Sequence, residues 1–297
     1  MQRQLPMAGD ITLVSRMTGL LLPLLAGSAI AGLTLGPRGW YDAAATTYPS
    51  FLGQDAVTLT LAVPMLAASA WAGRHGSTRA LLCWIGLLFY VAYSYAFYVL
   101  GAPVTWLFPV YIAIVSLGMY GALALLFALD LPALDAHAGP RLPRRAIAAY
   151  FVATATFFAG LWTMLVASRL AAGDAPDMVV RTVVAIDGIV LLPLLFFGGL
   201  WLWRRTALGL ALAGPLLMKA AATFLTLIAN TLVVVAWGHA VSGVETAAYV
   251  TGFLVAAFLL ARFLVNIEEE LPCTPEPLSS GVPCSSPPSP MALSARR

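Results

Sequence analysis

One lysine occurs in this chain, Lys219, and it stands inside an apolar run from Leu208 to Trp237. A cation within a bilayer span costs about 3 kcal/mol on insertion scales, so it faces a partner or a watery cavity, or reaches back to the headgroups. Two more polar groups belong to the same region. Asp187 lies early in the apolar segment 180–203, and Asn230 follows Lys219 by three helical turns on one helix face. At ~1.5 Å rise per residue, Asp187 and Asn230 both fall on the order of 10 Å to one side of the midplane, so they can touch. The axial gap between Asp187 and Lys219 is then on the order of 15 Å, and a direct ion pair needs a shifted or broken helix. Gly214-Pro215 supplies a candidate break, because proline removes the hydrogen bond to the carbonyl of Ala211. Broken helices of this kind line cavities, where their ends present backbone dipoles to a ligand. The competing reading is a mild kink, with Lys219 snorkelling to headgroups near Arg204 and Arg205.

Other side chains extend this set. Gln54 and Asp55 open the apolar segment 55–73, where Asp55 reads as a helix N-terminal cap or as a vestibule ligand. Tyr90, Ser94 and Tyr98 make one stripe at helical spacing, within a segment that also carries Tyr93 and Tyr95. Such a stripe serves interhelix packing with satisfied hydroxyls, or else walls a polar chamber. The candidate binding set is therefore Lys219, Asp187, Asn230, Asp55, Gln54, Tyr90 and Tyr98. A cation, carboxylates and an amide suit a small polar or anionic solute, or a proton. They supply no nucleophile–base pair, so no catalytic residue is assigned. His75, His137 and His239 all fall in connections, which leaves no histidine pair for haem and no zinc helix. No metal and no cofactor is expected.

The elements that position these groups follow from composition. The chain has 297 residues, is 61% hydrophobic and only 10% charged, with a mean hydropathy of +0.89. Soluble domains carry about 25% charged residues, so a soluble fold could not cover itself with polar surface. Lipid must be the solvent. Segments long enough to cross it occur at 14–36, 55–73, 80–100, 105–129, 146–168, 180–203, 208–237 and 246–265. The expectation is an all-α polytopic transmembrane helix bundle of about eight spans. Twelve of the 15 arginines fall on the side that holds both termini and three on the other, which places both termini in the cytoplasm. A net charge of +3 carried at helix ends excludes a nucleic-acid footprint. The start of the chain also admits a secretory signal cleaved after Ala29-Ile30-Ala31; the preceding tail with Asp10 favours an uncleaved first span.

Cys83 reads as packing, and Cys273 and Cys284 as reduced thiols of the tail. The connection from Pro37 to Gln54, with Trp40, Tyr41, Tyr48 and Phe51, is an interfacial aromatic belt or a lid. Residues 271–297 are dominated by proline and serine and are expected to be a disordered cytoplasmic tail beyond the helical domain 1–270. Superposing Pro64 on Pro193 aligns the second and third spans with the sixth and seventh without a gap. That register pairs the turn at Arg74–Arg79 with that at Arg204–Thr206 and sets Tyr90 against Lys219. Four spans per half is an even number, so such repeats are parallel.

Two stretches, Tyr48-Pro-Ser-Phe-Leu-Gly-Gln-Asp-Ala-Val-Thr-Leu59 and Tyr95-Ala-Phe-Tyr98 followed by Gly101, resemble a group of uncharacterised bacterial polytopic membrane proteins. Trp203-Arg-Arg205 and the later Leu-Leu-Met-Lys219 are similar to the same group. The resemblance implies a bacterial cytoplasmic membrane and supplies no activity; it points to Gln54, Asp55, Asp187 and Lys219. A microbial rhodopsin also keeps a late-helix lysine, but here Pro215 stands four residues before it where a carboxylate would be needed. Three functions stay open. They are binding or transport of a small polar solute or proton, an accessory subunit partnered by other membrane proteins, and an enzyme acting on a lipid-like substrate. The lipid bilayer is the common partner of all three.

Overall fold

The computed structural model describes residues 6, 7, 9–36, 47–174, 176 and 178–269, with backbone alone at 47–49. The Pro/Ser-rich tail, its two cysteines and most of the aromatic connection Pro37–Gln54 lie outside the described residues.

Eight helices are long and apolar enough to cross a membrane: Thr12–Leu35, Ser50–Arg74, Thr78–Leu100, Phe108–Phe127, Arg144–Ala171, Met178–Trp203, Ala207–Ala236 and Gly243–Val265. They follow the expected segments closely, because lipid forces each apolar run to satisfy its backbone internally and only a helix does so within one segment. The third span is the hub. It is buried along most of its length, while the fifth and eighth expose most of theirs to the surroundings.

Both described chain ends lie on one face, here the terminal face, and that face is stitched together. Asp130 N donates to Pro6 O at 2.9 Å, and Gly139 N donates to Asn266 O at 2.8 Å. Glu269 Oε1 accepts from Ser77 Oγ at 2.7 Å and from Arg79 N at 3.0 Å, at the N-terminus of the third span. A carboxylate at that position satisfies orphan N–H groups and meets the positive end of the helix dipole.

The Pro64-on-Pro193 register reappears as three-dimensional structure. In the second span a π-turn occupies Thr58–Ala62, and in the sixth another occupies Asp187–Leu191; in that register the two coincide residue for residue. Each ends just before a helix that carries its proline in the first turn, Pro64 or Pro193. The following turns also match. Ser77 Oγ accepts from Ala80 N at 3.2 Å, and Thr206 Oγ1 accepts from Gly209 N at 3.2 Å, each as the N-cap of the next span. The residue before each cap is left-handed, Gly76 at φ 95° and Arg205 at φ 57°.

The two halves meet at an equivalent point. Gly86 of the third span and Pro215 of the seventh share one register position, and they touch each other: a Cβ on Gly86 would lie 2.7 Å from Pro215 O and 2.7 Å from Met218 Cβ. A contact between equivalent residues marks a pseudo-two-fold axis. Flanking contacts obey it. A Cβ on Gly53 would meet Asn230 Oδ1 at 2.5 Å, and in the equivalent pair a Cβ on Gly101 would meet Thr182 Oγ1 at 3.3 Å. Close backbone approach through small residues is how helices associate where no hydrophobic force separates them from lipid.

One expectation is overturned here. The seventh span does not break at Gly214-Pro215; it runs as a single helix over Ala207–Ala236 with Pro215 inside. The backbone of Pro215, its carbonyl and Cα, packs directly against Gly86 of the buried third span. The helix irregularities sit elsewhere, in the two π-turns.

Candidate functional site

A cavity of about 460 Å³ lies between the second, third, fifth, sixth, seventh and eighth spans. Its walls divide along the pseudo-axis. Six pairs of equivalent residues line it together: Ser50 and Val179, Gln54 and Val183, Ser94 and Thr223, Phe97 and Thr226, Tyr98 and Leu227, Gly101 and Asn230. The upper part of the cavity, away from the terminal face, therefore sits on the axis between the halves. Deeper, the hollow turns to one side only, toward Asp187, Trp162, Tyr150 and Lys219. Leu191, Leu192, Leu195 and Leu216 form its floor, above the Gly86–Pro215 crossing.

Asp187 and Lys219 are the two charged residues of the wall. Asp187 opens the π-turn, whose extra residue turns the following helix and swings the preceding one; the carboxylate is only 5% exposed. Both of its oxygens are taken. Tyr93 donates its hydroxyl to Oδ1 at 2.6 Å, and Trp162 donates its indole N–H to Oδ2 at 3.0 Å. Lys219 is 2% exposed, and its Nζ stands 3.4 Å from the centroid of the Tyr93 ring. A single tyrosine thus separates the pair, with the amine on its face and the carboxylate at its hydroxyl. A desolvated contact between an ammonium and an aromatic face is worth about 2 kcal/mol. The same ring meets Phe97 edge-on at 5.2 Å, which fixes its tilt.

This arrangement corrects two expectations for Lys219. The side chain does not snorkel to the terminal face, because the third span packs along the seventh there and leaves it no route. It also makes no direct ion pair with Asp187; the axial gap is filled by Tyr93. Among the described residues the amine meets no hydrogen-bond acceptor, only the ring face and the hollow. On the same helix, Thr223 Oγ1 one turn on and Asn230 Oδ1 three turns on are buried and have no hydrogen-bond partner among the described residues. Asn230 and Asp187 share the wall but do not bond to each other.

The remaining sequence candidates divide. Gln54 and Tyr98 reach the cavity, whereas Tyr90 and Asp55 stand behind its wall. Tyr90 lies one turn from the wall residue Ser94, and its hydroxyl bonds Thr226 Oγ1 at 2.7 Å and accepts from Gln54 Nε2 at 3.2 Å. It holds the register position of Lys219 in the other half and fills with its own phenol the space a cavity would need. Asp55 is not a cap, because its helix already begins at Thr47. It is 1% exposed and accepts from Tyr98 O–H at 2.9 Å, beside a stack in which Tyr95 lies 5.1 Å from Tyr98. Tyr111 closes that stack, 5.0 Å from Tyr98, while Tyr120 of the same span is 65% exposed to the surroundings.

Sequence reasoning left out the two side chains that hold Asp187. Tyr93 belonged to the aromatic segment but fell off the stripe through Tyr90. Trp162 gave no signal, since a lone tryptophan in an apolar run reads as packing. The register offered a clue: Tyr93 lies three residues after Tyr90, the counterpart of Lys219, and so on the adjoining face of a helix that crosses the seventh span.

Chemically, the site presents a cationic or donor end, an occupied carboxylate and a wall in which nine of 27 residues are aromatic. Among the described residues no group of three histidine, cysteine, aspartate or glutamate side chains is gathered as a metal would need. Comparison with protein-family models, curated proteins and solved structures found no match for this chain.

Proposed function

We propose that this chain is a multi-pass protein of a bacterial cytoplasmic membrane, with cytoplasmic termini, that binds a small polar solute or a proton in the cavity and carries it across. The observation behind this reading is the unequal occupancy of the two charges. Asp187 has both oxygens bonded, while the Lys219 amine keeps its donors turned to the hollow. Buried donors without acceptors are costly, about 1–3 kcal/mol each, and a bound ligand recovers that cost. The location fits as well, since parallel-repeat transporters place their site where the halves meet and move one half against the other around it.

The accessory-subunit reading requires polar residues that merely satisfy each other; Thr223 Oγ1 and Asn230 Oδ1 do not, and the Lys219 amine has a ring face but no hydrogen-bond acceptor among the described residues. The enzyme reading requires a free base, and Asp187 is doubly bonded while Asp55 stands outside the cavity. Uptake into proteoliposomes across a broad solute screen, with thermal-shift binding alongside, tests the proposal. Lys219→Met abolishes the shift and the uptake of the active solute. A variant that matches the unaltered protein for every solute eliminates the reading.

A further inference from the structure

A second hollow, a groove of about 830 Å³, runs between the fifth and sixth spans on the outer surface of the bundle. Ala155, Ala159 and Gly188 line it, and a Cβ on Gly188 would meet nothing within 4 Å, so the groove is open rather than packed. Its surroundings are lipid-facing: Ile189 is 77% exposed, Met164 74% and Phe157 64%. Trp162 and Leu192 line both the groove and the central cavity. These two side chains stand between groove and site, and the tryptophan is tied by its N–H to Asp187.

We infer that the cavity takes a bilayer-dissolved amphiphile with a hydrogen-bond-accepting head, of which a long-chain carboxylate is the simplest form, and that it arrives sideways past Trp162. The inference rests on the reading of the cavity as a ligand site and narrows the polar solute to the polar head of a lipid-dissolved molecule. Three features argue it. Among the described residues the one cation of the wall, Lys219, is a donor with no acceptor, and the unpartnered Thr223 hydroxyl can donate beside it, so the head must accept; Asn230 Oδ1, farther along the same helix, is an open acceptor outside that pair. The body must be apolar, because the wall offers aromatic and leucine surface that a freely soluble polar solute would leave unused. The groove gives such a body a route past Trp162 that never leaves lipid.

The full chain in lipid nanodiscs supplies the test, with radiolabelled palmitate and radiolabelled butyrate as probes. Palmitate binds saturably, and Lys219→Met weakens it at least tenfold. Gly188→Leu and, independently, Ala159→Leu fill the groove without touching the cavity wall; each slows palmitate association severalfold and leaves its final occupancy unchanged. Butyrate binding with no palmitate binding overturns the amphiphile inference and leaves the solute reading standing. Palmitate binding that ignores Lys219→Met is generic lipid association and overturns the inference. Groove variants that leave palmitate association unslowed overturn the lateral route.

Discussion

Tyr93 does two jobs with one ring, and the two are separable. Tyr93→Phe keeps the face beneath Lys219 and removes the donor to Asp187. Hydrogen bonds to charged groups are worth about 2 kcal/mol, so the variant melts at a lower temperature in detergent by that equivalent. Lys219→Met and Asp187→Asn each strand one charge, whereas the double variant strands none. The expected double-mutant cycle therefore shows a favourable coupling of about 1–3 kcal/mol, read from thermal unfolding; simple additivity would mean that the ring screens the pair completely. Lys219, Asp187 and Asn230 were legible in the sequence because a polar group in a bilayer span needs a reason. Tyr93 and Trp162 were not, because an aromatic in an apolar run already has a reason to be there. Asp55 was misplaced for a simpler cause: hydropathy marks where apolar character starts, and the helix starts eight residues before it, at Thr47.

At the level of the helix, the notable elements are the π-turns. Each inserts a residue into the winding, so deleting one residue from 188–190 restores regular pitch and rotates Asp187 by about 100° relative to the rest of its span. The expected result is loss of the Asp187 bonds to Tyr93 and Trp162 and a lowered melting temperature, with the tryptophan emission shifted. Nothing in composition announces a π-turn, and the sequence pointed instead to Gly214-Pro215, where the helix in fact stays whole. The span count was legible throughout, and so were the boundaries except at the start of the second span, since they follow from hydropathy. The crossing point is testable by contrast. Gly86→Ala pushes a methyl to 2.7 Å from Pro215 O and costs about 1–3 kcal/mol. Gly160→Ala, where a Cβ meets nothing within 4 Å, gains about 0.5–1 kcal/mol from helix propensity. Equal effects at the two positions would argue against a backbone-to-backbone contact at the axis.

For the molecule as a whole, the matching turns, caps and π-turns make the second and third spans structural counterparts of the sixth and seventh, though the two pairs differ in what they hold. One buried its equivalent space under Tyr90 and the tyrosine stack; the other kept a hollow. Orientation belongs to this scale too. Val104, 76% exposed on the face away from the termini, reports it. Val104→Cys is expected to react with an impermeant thiol reagent in intact cells, and His75→Cys only after permeabilisation. The reverse pattern would invert the topology.

The order of the chain adds something about how the protein is made. Tyr93 and Asp187 both precede Lys219, so the segments that carry its neighbours are synthesised before the lysine-bearing one. Its amine meets a waiting receptor instead of bare hydrocarbon. Biogenesis of the seventh helix is thus subsidised by its predecessors, and a chain that lacks the first four helices would present the translocon with a segment it has reason to reject.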